Sequence, residues 1–342
     1  MTTRLVELTV PLLRPFVTAA GSVEVRRTVL VGRSADGVTG WGEAAPYPGV
    51  TPDTVDGVWA SLIDEAGALT PSAAAALDEA EADLAARTEG RPLWATLGGS
   101  GRPVLSSVSI GLDEDPIERL RTTGAGAAKV KIRPGDDVRR AEMVRGAYPE
   151  IVIGVDANGS YSWDDRDALL ALDRFDVAYV EQPFDPDDLE SHAGMRREIL
   201  ADVVLDEPID SPQAAVRAIE ADAADAITVK PGRIGLENCR IIHDLALAAG
   251  LRVKASGLVE TAVGRAHTLA IAALPGAIHS DLADDAWFFE TATGAPPTTV
   301  TEGWISITDA PGIGIEPDFE ALEPYIVRDV QGFTRPGDPA RG

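Results

Sequence analysis

Residues 151–159 read IVIGVDANG, and similar runs follow as VAYVEQP at 177–183 and DVVLDEP at 202–208. Each run is a short apolar stretch that ends in a carboxylate, which is typical of a buried strand in a parallel sheet. The carboxylates Asp156, Glu181 and Asp206 lie 25 residues apart. A constant spacing of this kind indicates a repeated supersecondary unit.

Working outward, β-rich runs of the same type recur along most of the chain. They lie at Val104–Ile110, Ala127–Ile132, Ile151–Ala157, Val177–Pro183, Val203–Pro208, Ala226–Pro231, Leu251–Gly257 and Ala277–Ala283. Helical patterns separate most of them, such as those at 137–148 and 211–223. Alternation of strands and helices predicts parallel βα units, and eight strands are the number that closes an α/β barrel.

The first 98 residues have a different pattern. Residues 26–49 predict a strand, a turn at Asp36-Gly37, a second strand and a Gly/Pro-rich loop, and Thr70–Arg87 has the composition of a helix that starts at Thr-Pro. The sequence therefore predicts a separate α+β unit, joined to the barrel by the linker LGGSGRP at 97–103.

The 24- to 26-residue spacing also includes polar residues on the other predicted strands. The full series is Lys131, Asp156, Glu181, Asp206, Lys230, Ser256 and Asp281. Each lies at or near the carboxyl end of its run, which is the end of a barrel that carries catalytic groups. The series therefore predicts a functional site at one mouth of the barrel.

Three converging carboxylates would repel one another unless a cation lies between them. Oxygen ligands without His or Cys favour Mg²⁺ over Zn²⁺, so Asp156, Glu181 and Asp206 predict a magnesium site. Any one of them alone would suit the alternative of a carboxylate at a helix N-terminus. Equal spacing on three consecutive strands favours the metal site.

Lys129 and Lys131 are two residues apart and so face the same side of their strand. Lys230 ends the sixth strand, roughly opposite the second strand in a closed barrel. A lysine that accepts a proton must be neutral, and a nearby cation favours the neutral form. Lysines with a divalent metal suit removal of a proton α to a carboxylate, since the metal stabilises the resulting enediolate.

The composition narrows the class of partner. The chain has 342 residues and a formal charge of -25, which argues against nucleic-acid and anionic-membrane partners. Cys239 is alone, so it cannot form an intramolecular disulfide, and its helical context predicts a buried thiol. The N-terminus does not resemble a signal peptide, so a cytoplasmic location is expected. The expected partner is a small-molecule carboxylate substrate. The oligomeric state stays open.

Together, the K-x-K pair with VDANG, VEQP, LDEP and VKPGRIG resembles the muconate-lactonizing-type subgroup of the enolase superfamily, over about residues 100 to 285. The resemblance implies a modified TIM barrel, (β/α)7β, at 99–290. It also implies an α+β capping domain at 1–98 that a C-terminal segment, 291–342, completes. Asp156, Glu181 and Asp206 would bind Mg²⁺, with Mn²⁺ as an alternative, and Lys131 and Lys230 would form the acid/base pair.

A mandelate-racemase-type site is disfavoured, because RVKASG at 252–257 has no His on strand seven. His192, His243, His267 and His279 all lie outside the motifs and are interpreted as structural.

Two further segments, GWGEAAPYPG at 40–49 and SGLVETAVG at 256–264, look like parts of o-succinylbenzoate synthases. This resemblance implies a syn dehydration in menaquinone biosynthesis, in which Lys131 takes the proton and Lys230 stabilises the enediolate. It also implies that the backbone at Ser256–Gly257 holds a succinyl carboxylate, with Lys129 and Asn158 as further substrate contacts.

Two other enzyme activities remain open. N-succinylamino acid racemases or related epimerases would use both lysines as bases, and muconate cycloisomerase is a third reading. A binding barrel without activity is disfavoured, because the three predicted metal ligands and the two lysines of the acid/base pair are all present. Substrate choice is assigned to the capping loops Thr18–Ser22 and Ala44–Val50.

Overall fold

The computed structural model describes residues 1–18, 21–64 and 68–334. The N-terminal elements are β1 Thr2–Thr18, β2 Gly21–Ala35, β3 Val38–Ala44, α1 Val55–Ile63, α2 Pro71–Glu89 and α3 Leu93–Thr96. The elements that follow are β4 Val104–Leu105, β5 Ser107–Ile110, α4 Pro116–Thr123, β6 Ala127–Lys131, α5 Val138–Ala147, β7 Val152–Asp156, α6 Arg166–Leu170, β8 Tyr179–Glu181, α7 Leu189–Glu198, β9 Asp202–Leu205, α8 Pro212–Glu220, β10 Ala226–Val229, α9 Pro231–Ile234, α10 Leu236–Ala248, β11 Arg252–Ala255 and α11 Ala262–Ala272. The last elements are β12 Gly294–Ala295, β13 Val300–Thr301, β14 Trp304–Ile305, β15 Glu316–Pro317, α12 Phe319–Leu322 and β16 Ile326–Phe333.

The N-terminal unit is built on a four-stranded antiparallel sheet in the order β16-β1-β2-β3. The predicted turn between β2 and β3 is confirmed, with φ of 51° at Asp36 and 81° at Gly37, which suits a tight hairpin. Because β16 pairs with β1, the C-terminal part of the chain lies against its beginning. The domain boundaries at residues 98 and 290 stay predictions, and residues 335–342 lie outside the described ranges.

Helix α2 packs closely across this sheet, because β3 presents glycines to it. The helix begins at Pro71, one residue after the predicted Thr70, and is followed by Gly90 with a φ of 67°, a typical helix C-terminus. Gly40 and Gly42 lie two residues apart and so face the helix together. A Cβ atom on Gly42 would overlap the carbonyl oxygen of Ala76 in α2.

Gly42→Ala should therefore destabilise the fold, by about 3 kcal/mol, because the helix backbone must move away from the sheet. Thermal or urea unfolding followed by circular dichroism measures the effect. Gly146→Ala is the control. Gly146 lies in α5, and a Cβ there would have no neighbour within 4 Å, so alanine should be neutral or stabilising by up to ~1 kcal/mol. Equal stability of the two variants would show that the glycine contact is unimportant.

The barrel sheet runs β5-β6-β7-β8-β9-β10-β11, and each neighbouring pair is parallel. The predicted strands two to seven are thus confirmed, and the helices predicted at 137–148 and 211–223 form as α5 and α8. On the opposite face of the strands from the site residues, apolar side chains pack against the surrounding helices. Val130, Val155 and Val180 are fully buried and cluster with Ala141 and Val144 of α5. The α/β barrel fold is therefore as predicted.

The first and eighth predicted strands differ from expectation. The first run breaks at Ser106, so that β4 pairs with β14 and only β5 joins the barrel. The eighth run forms isolated bridges, Ser106 to Ser280 on one side and Ser256 to Asp281 on the other. Serine hydroxyls replace part of the ladder, since Ser106 Oγ donates to the carbonyl oxygen of Leu282 and Ser280 Oγ accepts from the amide of Ala255.

Helix α11 carries a buried histidine that joins the barrel to the N-terminal unit. His267 Nε2 lies 2.8 Å from the carbonyl oxygen of Trp41, so this nitrogen carries the proton and donates it. Burial lowers the pKa of His267 to about 4. As pH falls below ~6.5, His267 therefore becomes protonated in the unfolded chain but stays neutral in the folded chain. Protonation then favours the unfolded state.

Stability should accordingly fall between pH 7.5 and pH 5, with His267 contributing about 2 kcal/mol of the loss. His267→Gln keeps a donor for Trp41 but cannot titrate, so its melting temperature should fall less over the same range. Differential scanning calorimetry of both proteins at the two pH values measures this. The same decrease in both would mean that other groups cause the acid sensitivity.

Among the residues that the structure describes, no helix has the length and apolar composition needed to cross a membrane. Cys239 is fully buried in α10, as predicted.

Candidate active site

The carboxyl ends of β6, β7 and β8 place charged side chains side by side. In the ladder, Lys131 is the direct neighbour of Asp156, and Asp156 is the direct neighbour of Glu181. Asp206 follows the end of β9 and Lys230 follows the end of β10. The structure thus brings the five predicted strand-end groups together at one mouth, in the order expected from the spacing.

Lys129 and Lys131 both contact the carboxylate of Asp156. Their Nζ atoms lie 2.9 Å and 2.7 Å from Asp156 Oδ2, and Lys131 Nζ also lies 2.6 Å from Asn158 Oδ1. Burial raises the pKa of Asp156, but the two lysines outweigh it and hold this pKa well below its usual range. Asn158, on the loop after β7, holds Lys131 at the edge of the cavity.

On the other side of the three acids, Lys230 Nζ lies 2.5 Å from Asp206 Oδ2. Arg233 donates to the backbone oxygen of Asp206 at 2.9 Å. Although burial raises the pKa of Asp206, Lys230 and Arg233 lower it below the ordinary value. Lys131 and Lys230 therefore approach the mouth from strands two and six, with three acidic strand ends between them.

Sequence reasoning missed a second group of charges. Lys254 on β11 is fully buried, and its Nζ lies 3.2 Å from Glu181 Oε2 and 2.5 Å from Asp281 Oδ2. Lys129 contacts the same two oxygens, at 3.2 Å and 2.6 Å. The two lysines and two carboxylates form a closed ring of alternating charge. The spacing did include Asp281, but the weak strand pattern around it gave no reason to assign it a role.

Glu207 and Gln182 also belong to the site, and both were visible in the motifs LDEP and VEQP. Burial first, and then Asp206 and Asp156, raise the pKa of Glu207 to about 7. Glu207 accepts from Asn158 Nδ2 at 2.9 Å. Gln182 has a φ of 42° and accepts the backbone N–H of Asp206 at 3.1 Å, so it fixes the end of β9 relative to β8.

The chain contains only four lysines, Lys129, Lys131, Lys230 and Lys254, and all four belong to this network. The remaining basic residues are arginines, apart from the histidines. Lysine can lose its proton near neutral pH when its surroundings favour that, whereas arginine cannot. The distribution therefore concentrates every side-chain amine of the protein at the barrel mouth.

Comparison with known proteins identifies the family. Residues 114–322 match the family "Enolase C-terminal domain-like", and residues 1–66 match "Mandelate racemase / muconate lactonizing enzyme, N-terminal domain". The chain belongs to the enolase superfamily.

Individual members of the superfamily are similar over nearly the whole chain. An o-succinylbenzoate synthase of Geobacillus kaustophilus is 34% identical, over 91% of this chain and 92% of that protein. An N-succinylamino acid racemase of an Amycolatopsis species is 32% identical, over 92% and 94%. A solved structure from Alicyclobacillus acidocaldarius, described as a probable mandelate racemase, has a TM-score of 0.86 and 30% identity, over 96% of this chain and 98% of that one.

Superfamily sites use a lysine or histidine base with bound Mg²⁺. In the part of this chain that the structure describes, no three acidic, His or Cys side chains already surround one metal position, because lysine Nζ atoms lie among the carboxylates. Nevertheless, Glu181 Oε2 and Asp206 Oδ1 are buried and have ion-pair contacts at 3.2 to 3.6 Å but no aligned hydrogen bond. Carboxylate oxygens with free hydrogen-bonding capacity and an all-oxygen donor set suit a hard cation, so Asp156, Glu181 and Asp206 fit the expected group.

A cavity of about 370 Å³ opens above this network. Its charged floor contains the predicted substrate contacts Lys129 and Asn158, and Ser256 and Gly257 form part of its wall. The amide of Ser256 donates to the oxygen of Val229 and its hydroxyl donates to Asp281. Of the two backbone amides predicted to bind the substrate, the amide of Gly257 is therefore the candidate that remains.

The rest of the cavity wall is largely apolar. Its apolar members are Phe16, Tyr47, Val50, Leu258, Val259, Ala283 and Phe288, and polar members include Ser107, Ser109, Glu260 and Arg265. The predicted loop 44–50 therefore reaches the cavity, whereas Thr18–Ser22 lies partly outside the described residues. None of the four histidines lines the described part of the cavity, in agreement with their interpretation as structural.

Proposed function

We propose that this protein is an o-succinylbenzoate synthase. It would convert 2-succinyl-6-hydroxy-2,4-cyclohexadiene-1-carboxylate to 2-succinylbenzoate and water, a step of menaquinone biosynthesis. The observation that carries the proposal is the placement of Lys131 and Lys230 on opposite sides of one cavity, with the carboxylates between them. The 34% identity to the Geobacillus synthase supports it.

Each group at the floor has a task in this reaction. Asp156, Glu181 and Asp206 would hold Mg²⁺, which when bound would supply positive charge to stabilise the enediolate oxygens of the substrate carboxylate. Lys131 Nζ takes the proton from C1, and the electrons of the broken C–H bond move into the carboxylate. The enediolate electrons then form the C1–C6 double bond as the C6–O bond breaks, and the same Nζ returns the proton to the departing hydroxide, giving water and the aromatic product.

The syn geometry is consistent with one base acting on one face. Asn158 Oδ1, 2.6 Å from Lys131 Nζ, orients this lysine toward the cavity. Lys230 lies across from it and contributes a cation to the opposite face of the ring, where it stabilises the enediolate. The apolar wall formed by Phe16, Val50 and Phe288 suits a six-membered hydrocarbon ring.

The same pair of lysines favours a second candidate, racemisation of N-succinylamino acids. There, one lysine removes the α-proton and the other delivers a proton to the opposite face. The 32% identity to the Amycolatopsis racemase supports this alternative. Both candidate substrates carry a succinyl group, so a single cavity could accept either.

A direct comparison of substrates tests the proposal. The purified Mg²⁺-loaded protein is assayed with the cyclohexadiene carboxylate by ultraviolet absorbance, and with N-succinylamino acids by polarimetry. We expect kcat/KM to be higher for the dehydration by at least about tenfold, which corresponds to ~1.4 kcal/mol in transition-state binding. A higher value for racemisation would replace the first candidate by the second, and no turnover of either would contradict both.

A further inference from the structure

Arg26 lies on β2 of the N-terminal sheet and is buried, and its three hydrogen bonds within the described residues are made to backbone carbonyls. Its Nη2 donates to the oxygen of Ala45 at 3.0 Å and its Nη1 donates to the oxygen of Pro46 at 3.1 Å. Its Nε donates to the oxygen of Val259 at 3.1 Å. The guanidinium thus joins the loop after β3 to the loop after β11, which are more than 200 residues apart in the chain.

Both of these loops form walls of the cavity. Tyr47, Gly49 and Val50 line it from the N-terminal unit, and residues 256–260 line it from the barrel. The guanidinium also lies 5.0 Å from the centre of the Tyr47 ring. Arg26 itself is not among the residues that line the cavity. It therefore sets the separation of two walls without touching what lies between them.

The barrel loop needs such support because its conformation is strained. Val259 has a φ of 57°, a left-handed value that is rare for a β-branched residue. Strain of this kind persists only where surrounding contacts over-determine it. Arg26 holds the carbonyl of this residue, and the Glu260 side chain accepts the amide of Leu258.

A second contact from the N-terminal unit secures the next turn of the same segment. Glu43 accepts the backbone amides of Thr261 and Gly264, at 3.0 Å each, and so fixes the start of α11. Arg26 and Glu43 stand on adjacent strands and act on consecutive parts of one loop. Glu43 anchors the helix, whereas Arg26 bonds Val259 in the part of the loop that lines the cavity.

We infer that Arg26 is a positioning residue that determines which substrates the cavity accepts. It holds Ala45–Tyr47 and Gly257–Val259 at a fixed separation, so that these loops contact the non-reacting part of the substrate. Lys131 and Lys230 act on the reacting part. The substrates named in this inference rest on the proposed function. The part that concerns how Arg26 holds the two loops does not. Loss of the clamp should weaken binding and leave the chemistry at the lysines intact.

The test uses Arg26→Met, with Arg26→Lys as a second variant that keeps the charge and part of the bonding. Arg33→Met is the matched control, because Arg33 lies on the same strand, is exposed to the same 2%, and donates to Thr3 Oγ1 at 2.6 Å within the N-terminal sheet. Steady-state kinetics is measured on the preferred substrate. Hydrogen–deuterium exchange is measured on peptides that cover residues 44–50 and 256–261.

For Arg26→Met we expect KM to rise by about 10- to 100-fold with kcat within about threefold of the parent, since bonds from a charged group are lost but the lysines stay in place. Exchange should rise in both loops. Arg26→Lys should show smaller increases in KM and in loop exchange, which can be measured even if Arg26→Met does not fold. Arg33→Met should change neither KM nor loop exchange.

Unchanged loop exchange in a folded Arg26 variant would overturn the clamp, as would an equal increase in Arg33→Met. A fall in kcat without a rise in KM would overturn the role in substrate selection. If the parent protein turned over neither candidate substrate, the proposed function would fail, and the exchange measurement alone would still decide whether Arg26 holds the loops.

Discussion

Replacement of Lys131 by alanine should reduce turnover on the order of 10⁴-fold, the upper end of what a general base contributes. Lys230→Ala should also abolish measurable turnover. The fold should persist in both, because each Nζ lies at the edge of the cavity and not inside the apolar core. Circular dichroism and thermal unfolding check the fold, and the ultraviolet assay measures the rate. Near-normal activity in either variant would contradict the proposed mechanism.

Arginine variants separate a proton-transfer role from an electrostatic one. Arginine keeps the positive charge but cannot give up its proton. Lys131→Arg should therefore be as inactive as Lys131→Ala, because the base is lost. Lys230→Arg should keep part of the dehydration activity if Lys230 only stabilises the enediolate. It should lose racemisation completely, since that reaction needs a second base.

Because the protein has only four lysines, their side chains can be observed selectively. A sample labelled with ¹⁵N at lysine Nζ should give four side-chain signals, and each alanine variant should remove one and so assign it. Signals of Lys131 and Lys230 that move when a substrate analogue binds would place both at the cavity. A signal that does not respond would exclude that lysine from contact with substrate.

The regular spacing of polar residues predicts the strands that carry the site, because each strand-end group occupies the same position within its own repeat. Lys131, Asp156 and Glu181 are ladder neighbours, so their proximity follows once the strands are parallel and in register. The apolar runs before them gave the strands. These features depend on local pattern alone, which a single sequence contains.

Other parts of the site depend on contacts between distant segments, which no local pattern contains. The pattern at 252–257 shows only that strand seven lacks a histidine. It does not predict that Lys254 pairs with Glu181, 73 residues earlier. Arg26 lies in the alternating run GSVEVRRTVLV, where a basic residue resembles a solvated strand position. Its burial depends on the barrel loop at Val259. The missing eighth strand has a similar cause, since serine side chains replaced ladder bonds that the pattern had assigned to the backbone.

The structure also changes how the charge of the mouth is understood. The chain has a net charge of -25, whereas three lysines are predicted at this mouth from the sequence. In the structure, four lysines and Arg233 face Asp156, Glu181, Asp206 and Asp281, with Glu207 beside them. Cations and anions nearly balance, so the mouth by itself offers little net attraction to a substrate with two carboxylates. A divalent ion is the natural source of the missing charge.

Chelation should accordingly stop the enzyme. After treatment with EDTA and removal of the chelator, we expect activity to fall below about 1% of the original, because metal ions stabilise transition-state charge by several kcal/mol. Mg²⁺ or Mn²⁺ should restore it, whereas NaCl at equal ionic strength should not. Full activity after chelation, with metal content verified by mass spectrometry, would remove the metal from the proposal.

The lysine signals give a readout of the same prediction that does not require turnover. Lys129, Lys131 and Lys230 each contact a carboxylate that is proposed to bind the metal, so titration of the metal-free protein with Mg²⁺ should shift their Nζ signals together. Asp206→Asn should weaken the shift at Lys230 most, because it alters the carboxylate that this lysine touches. Gly146→Ala, in an exposed helix away from the mouth, should leave the titration unchanged. Saturation of all shifts at one Mg²⁺ concentration in the parent protein would show that a single ion reorganises the ion pairs of all three lysines, and independent saturation would contradict one shared metal site.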